Sequence, residues 1–128
     1  MLQALIVDDS KVMREMVIAC LRAHESLSFT HAGSGLEALE KLSLQNFDVV
    51  VLDLNMPDIS GYEVIEFIRG QDKLRQLPIL VVTTRGDDSS RSRALGAGAT
   101  SFMTKPFSPA ALLGEVRALI GARPGVTA

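Results

Sequence analysis

Short runs of consecutive apolar residues alternate five times along this chain with longer segments whose apolar positions recur at helical spacing. Leu5-Ile6-Val7, Val49-Val50-Val51-Leu52 and Ile79-Leu80-Val81-Val82 are the clearest runs. The last two are apolar at successive positions, so they read as central strands covered on both faces. Strands are predicted at about 3–8, 28–32, 48–53, 79–83 and 100–104, and helices at about 10–23, 35–45, 61–70, 88–97 and 108–120. The first helix places Val12, Met13, Met16, Val17, Cys20 and Leu21 on one face, and the last does so with Leu112, Leu113, Val116, Leu119 and Ile120. Both stripes are expected to be core. Helix starts are marked by Ser34 with Glu37 and Ser60 with Glu63, spaced as capping boxes, and by Ser108 ahead of Pro109.

Strands that alternate with amphipathic helices form parallel sheets with crossover connections. Right-handed crossovers then favour an α/β, doubly wound five-stranded sheet of order 2-1-3-4-5, with five helices on two faces. Ligands of such sheets bind at the carboxyl ends of the strands beside the switch point, here between the first and third strands. Asp8 and Asp9 close the first apolar run and Asp53 closes the third. Three carboxylates at one sheet edge repel one another, and a hard divalent cation between them relieves that cost. Thr83 and Lys105 end the fourth and fifth strands at the same edge. Each residue alone has a plain structural explanation: a helix cap, a turn, a β-branched strand residue, a solvated lysine before a proline. Those explanations do not account for the joint placement.

Composition narrows the class without naming the chemistry. The 128 residues suit one domain, and 47% hydrophobic with 22% charged residues is ordinary for a globular core. A net charge of −2 gives no basis for nucleic acid or an anionic membrane as the main partner. The N-terminus lacks the basic start of a signal peptide, and no apolar run approaches the roughly 20 residues that span a bilayer. Cys20 stands alone, which excludes an intrachain disulfide and suits a small core residue. A cytoplasmic setting is therefore expected, with a domain over 1–121 and residues 122–128 as a flexible tail or the start of a linker. His24 and His31 fit no catalytic position, and Asp58 is expected to serve the turn with Pro57.

Val7-Asp8-Asp9-Ser10, Asp53-Leu54-Asn55-Met56-Pro57-Asp58 followed by Gly61, Val82-Thr83-Thr84 and Lys105-Pro106-Phe107 together resemble a response-regulator receiver domain, over residues 3–121. Asp9-Ser10 followed by Met13-Arg14 resembles the chemotaxis, CheY-like type. The resemblance implies the flavodoxin-like topology and a set of roles. Asp53 would be the phosphoacceptor, Asp9 a direct Mg2+ ligand, Asp8 a ligand mainly through water, and the Asn55 backbone carbonyl a further ligand. Thr83 would be the switch hydroxyl, Lys105 the basic partner of the phosphoryl group, and Phe102 the aromatic switch position, where tyrosine is common in the family. Arg85 is expected near the rim.

A receiver of this kind takes a phosphoryl group from a sensor histidine kinase or phosphotransfer protein, with Mg2+ as cofactor. It then changes its affinity for a downstream target, expected here through the fourth helix, fifth strand and fifth helix. It is not an enzyme beyond assisting its own phosphorylation and dephosphorylation, and the resemblance implies neither nucleic-acid contact by this domain nor membrane insertion. A stand-alone chemotaxis-like switch, a phosphorelay intermediate and the N-terminal receiver of a longer regulator are all compatible settings. Three other readings compete. A Mg2+-dependent aspartyl-phosphate phosphatase of the haloacid dehalogenase type needs a second acid two residues after the nucleophile, where this chain has Asn55. A flavodoxin-like cofactor binder would cradle phosphate in the loop that here holds Asp8 and Asp9. A degenerate receiver acting only as a binding module would lack part of the constellation, all of which is present.

Overall fold

In the computed structural model, which describes residues 1–122, the apolar runs become the inner strands of one parallel sheet. The strands are β1 (Leu2–Val7), β2 (Leu27–Ala32), β3 (Val49–Leu52), β4 (Ile79–Thr83) and β5 (Ser101–Thr104), in the order β2-β1-β3-β4-β5. Helices α1 (Lys11–Leu21), α2 (Gly35–Leu44), α3 (Gly61–Gly70) and α4 (Asp88–Ala97) make the crossovers, and α5 (Pro109–Gly121) follows the last strand. A 3-10 turn over Asp72–Leu74, which no apolar period marks, leads into β4. Residues 123–128, most of the expected tail, lie outside the described residues.

Because side chains alternate along a strand, the central strands feed two cores. Leu5, Val7, Val50, Leu52, Ile79 and Val81 face one way and pack with Ala38, Leu42, Val64, Ile65 and Ile68 from α2 and α3. Ala4, Ile6, Val49, Val51, Leu80 and Val82 face the other way and pack with Val17, Ile18 and Leu21 of α1 and Leu112, Val116, Leu119 and Ile120 of α5. Ser34, Ser60 and Ser108 cap their helices as expected, each accepting the N–H three residues on. Ser10 and Asp87 do the same for α1 and α4.

The expected stripe on α1 needs correction. Val12 is 68% exposed and Met16 50% exposed, while Met13 and Cys20 are only partly buried. At about 100° per residue, Arg14, Val17, Ile18 and Leu21 share one side of this helix, and Val12 and Met16 fall on the opposite one. The inward position of the first turn is thus held by a charged residue. Arg14 donates from Nη1 to the Asp8 carbonyl at 2.6 Å and from Nε to His31 Nδ1 at 3.0 Å. An apolar count could not find that face.

Arg69, near the end of α3, is a second interior arginine. Its guanidinium donates to the carbonyls of Gly98 (2.9 Å), Leu74 (3.2 Å), Arg75 (3.1 Å) and Leu77 (2.7 Å) and to the Thr100 hydroxyl (3.3 Å). Five donors in a rigid fork suit such a set of fixed oxygens. The clamp joins the lead-in to β4 with the end of α4, where Gly98 has φ of 122° and a Cβ would lie 2.5 Å from Arg69 Cγ. In α4 itself only Ser90 and Ala94 are buried.

Candidate functional site

Parallel strands in register deliver their next residues to the same edge. Val7 pairs with Leu52, so Asp8 and Asp53 emerge side by side at the switch point. The Asp53 N–H donates to the Val7 carbonyl at 3.0 Å and the Asp8 N–H to the Ala32 carbonyl at 3.2 Å, which fixes both backbones. Asp8 and Asp53 are 5% and 6% exposed. Asp9 is exposed, and Ser10 rather than Asp9 caps α1, accepting the Met13 N–H at 3.2 Å. The Asp9 carboxylate is thereby left for the cluster: one oxygen from each of Asp8, Asp9 and Asp53 lies within 4.8 Å of the others.

Lys105 reaches this cluster from the far side of the sheet. Its N–H donates to the Thr83 carbonyl at 2.8 Å, just past the Thr83–Thr104 pair, and the Lys105–Pro106 bond is cis. Its ammonium lies 2.8 Å from Asp8 Oδ2 and 3.6 Å from Asp53 Oδ2, with the side chain only 11% exposed. The second Asp8 oxygen accepts the Ser10 N–H at 2.9 Å. Thr83 is fully buried, and its hydroxyl oxygen accepts the Arg85 N–H at 3.3 Å. Phe102 lies buried in β5 with the Arg91 guanidinium 5.8 Å from its ring centre, and Arg85 is exposed at the edge. Asn55 is exposed, and its N–H donates to Asp53 Oδ1 at 3.4 Å.

Burial raises the Asp53 carboxyl above its ordinary 3.8 and outweighs the pull of Lys105; Asp8 adds to the rise, while the Asn55 N–H and the Thr83 hydroxyl oppose it. An ionised Asp53 therefore costs stability. That cost is present in full above the raised value and is relieved as the pH falls toward 3.8. A cation would relieve it at neutral pH. Three carboxylates against one ammonium leave a formal excess of two negative charges, all on hard oxygen donors, and this donor set fits Mg2+. Asp8, Asp9 and Asp53 would hold the ion.

Two residues at this edge escaped the sequence. Arg14 grips the Asp8 carbonyl; the Met13-Arg14 pair entered the family resemblance, but nothing in the sequence marks that bond. Asp58 lies in the expected loop, but its carboxylate leaves the turn with Pro57 and accepts the N–H groups of Gly35 (3.1 Å) and Leu36 (2.8 Å) at the start of α2. His31 serves as an acceptor for Arg14. A groove of about 550 Å3 at the opposite end of the sheet, floored by Leu42, Phe67 and Leu74, shares no residue with the cluster.

The family model for the response regulator receiver domain matches residues 4–117. A probable transcriptional regulatory protein of Mycobacterium tuberculosis, TcrX, is 40% identical over 123 residues, which are 96% of this chain and 51% of that protein. The chain thus spans about half the length of that relative. The chemotaxis protein CheY1 of Helicobacter pylori is 31% identical over 121 residues, 94% of this chain and 98% of CheY1. Among solved structures, the chemotaxis response regulator CheY4 of Vibrio cholerae superposes with a TM-score of 0.85 at 34% identity, over 93% of this chain and 98% of that one. The receiver domain of the sensor histidine kinase PA1611 from Pseudomonas aeruginosa, with a magnesium ion coordinated in its active-site cleft, gives 0.86 at 28% identity, over 94% and 98%.

Proposed function

Because this chain belongs to the response regulator receiver domains of two-component systems, we propose that it accepts a phosphoryl group on Asp53 from the phosphohistidine of a sensor histidine kinase or phosphotransfer protein. The observation that carries the assignment is the Lys105 ammonium set between Asp8 and Asp53, within a carboxylate triad that a divalent cation would complete. In the transfer an ionised Asp53 oxygen forms a bond to phosphorus as the P–N bond breaks, and the electron pair of that bond leaves with the imidazole. Lys105 stabilises charge on the phosphoryl oxygens. Asp8, Asp9, Asp53 and the Asn55 carbonyl would hold a magnesium ion, which would supply further neutralisation of that charge. Support for magnesium comes from the donor set and from the ion in the PA1611 receiver. No separate catalytic activity is assigned to the chain.

Intact-protein mass after incubation with acetyl phosphate tests this reading. A single phosphoryl adduct is expected with Mg2+, none without it, and none for Asp53→Asn. An adduct of unchanged yield in Asp53→Asn would assign the acceptor elsewhere.

Thr83 then converts phosphorylation into a change of shape. Its hydroxyl turns toward a phosphoryl oxygen, the β4–α4 segment moves inward, and Phe102 responds in β5. With phenylalanine at this position the output is a change of burial and packing, since the ring offers no hydroxyl. The target then binds on α4, β5 and α5, in a cytoplasmic setting; no helix among the described residues is long and apolar enough to cross a membrane. Thr83→Ala is expected to take up the label within several-fold of the wild-type rate while losing most of the phosphorylation-induced amide NMR shifts in β5. A full set of those shifts in the variant would remove Thr83 from the switch.

A further inference from the structure

The loop after β3 carries Asp53 at one end and Asn55 two residues later. Its ends are fixed by backbone bonds, Asp53 N–H to Val7 and Gly61 N–H to the Leu54 carbonyl at 3.0 Å. Asn55 is exposed, and the bond from its own N–H is long, at 3.4 Å. The next firm hold downstream is Asp58, whose two carboxylate oxygens take the first two N–H groups of α2 across a sequence separation of 22 and 23 residues.

That helix start already has its own cap, because the Ser34 hydroxyl accepts the Glu37 N–H at 3.1 Å. The following residue presses on the same turn. A Cβ on Gly35 would lie 2.2 Å from Ile59 Cγ1 and 2.9 Å from the Ile59 carbonyl oxygen, so glycine is what lets the two segments meet. The short span between Asn55 and this anchor is stiff. Pro57 has its φ fixed by the ring, and Met56, preceding a proline, is confined to extended backbone.

We infer that Asp58 is a positioning residue, which ties the acceptor loop to α2 and so holds the Asn55 carbonyl ready for the cation. The inference rests on the proposed metal site. Hydrogen bonds led by that from the Leu36 N–H hold the Asp58 carboxyl down at about 2, so it remains ionised through the physiological range and the tie is not loosened by ordinary changes of pH. The tie also joins the two halves of the site. Asp58 grips the turn that follows β2, and β2 receives the Asp8 N–H at Ala32.

The test is a magnesium titration of the unphosphorylated protein, followed by amide NMR shifts, for wild type, Asp58→Ala, Asp58→Asn and Ser34→Ala, with a thermal melt of each. Asp58→Ala is expected to weaken Mg2+ binding by roughly tenfold, in line with other residues that orient a ligand without touching the metal. Asp58→Asn keeps one acceptor oxygen and is expected to fall between Asp58→Ala and wild type. Ser34→Ala removes a bond from the same helix start without touching the acceptor loop. It is expected to lower the melting temperature and leave the Mg2+ affinity unchanged. Wild-type affinity in Asp58→Ala, or an equal loss in Ser34→Ala, would overturn the positioning role and leave the metal site standing. Absence of Mg2+ binding in wild type would overturn both.

Discussion

Gly61→Ala is expected to lower stability by roughly 2–3 kcal/mol, the upper range for overpacking a tight site, and to slow phosphorylation far more than that loss explains. A Cβ at this position would stand 2.6 Å from the Asp53 carbonyl oxygen and 2.7 Å from Leu54 Cα. Both neighbours are backbone, so no rotamer change can relieve the contact. Either α3 backs away from the sheet, opening the core around Tyr62, Val64 and Ile65, or Asp53, the proposed acceptor, shifts with its neighbours. A displacement of about 1 Å at a reacting group can cost about a hundredfold in rate. Gly114→Ala provides the control, because nothing lies within 4 Å of the Cβ it would gain on α5. It should be neutral or slightly stabilising, as expected for alanine in a helix. Urea unfolding and the acetyl phosphate labelling rate, measured side by side, decide the matter; wild-type stability in Gly61→Ala would mean that the close approach of α3 to β3 is wrong.

Lys105→Ala should separate two properties that most site variants lose together. Phosphoryl transfer is expected to fall by about a hundredfold or more, the range found when a donor aimed at developing negative charge is removed. Magnesium binding should strengthen, because the variant removes the ammonium that sits 2.8 Å from Asp8 and 3.6 Å from Asp53 and competes with the cation for them. The pH dependence should change as well. Burial already raises the Asp53 carboxyl, and Lys105 is the chief influence pulling it back. Without the lysine the value rises further, so the ionised nucleophile becomes scarcer as the pH is lowered. As the pH falls, labelling of the variant at low, subsaturating Mg2+ should therefore begin to decline at a higher pH than that of wild type. Labelling rates and Mg2+ titrations as a function of pH are the measurement. Unchanged labelling would deny Lys105 any part in the transfer, and weaker Mg2+ binding would show that the lysine organises the carboxylates rather than competing for them.

The parts of this site that were legible in the sequence are those in which a local pattern ends in a charged residue. An apolar run closed by acid, as at Asp8 and Asp53, fixes both a strand and the edge where its carboxylate emerges, and strand order then brings the acids together. Lys105 could be placed in the same way, since it follows the fifth strand directly. The α1 face was misjudged for the opposite reason: hydrophobic spacing counted Val12 and Met16, while Arg14 occupies the inward side through bonds to the Asp8 carbonyl and His31. Asp58 and Arg69 were illegible as anchors because their main partners are backbone groups, which carry no sequence identity. Those partners lie up to 29 residues away for Arg69 and up to 23 for Asp58.

The thin attachment of α4 sets the scale of work that the proposed switch would have to perform. Ser90 and Ala94 are its only buried residues, neither with a large apolar side chain. Its other holds are mostly polar or cationic: Asp87 accepting from Ser90 at the start, Arg69 on the Gly98 carbonyl at the end, Arg93 stacked 3.9 Å from the Tyr62 ring centre and Arg91 5.8 Å from that of Phe102, with the small side chain of Ala97 against the core. Little apolar area is surrendered if the front of this helix lifts, so its local opening lies near the low end of the free energies that separate one part of a fold from another. In such an opening the Arg69 clamp would remain as a fulcrum and the helix would act as a lever whose free end begins at Asp88, five residues after Thr83. One new charge-assisted hydrogen bond contributes about 1.5–3 kcal/mol. For a lever so lightly held, a single such bond is a sufficient load.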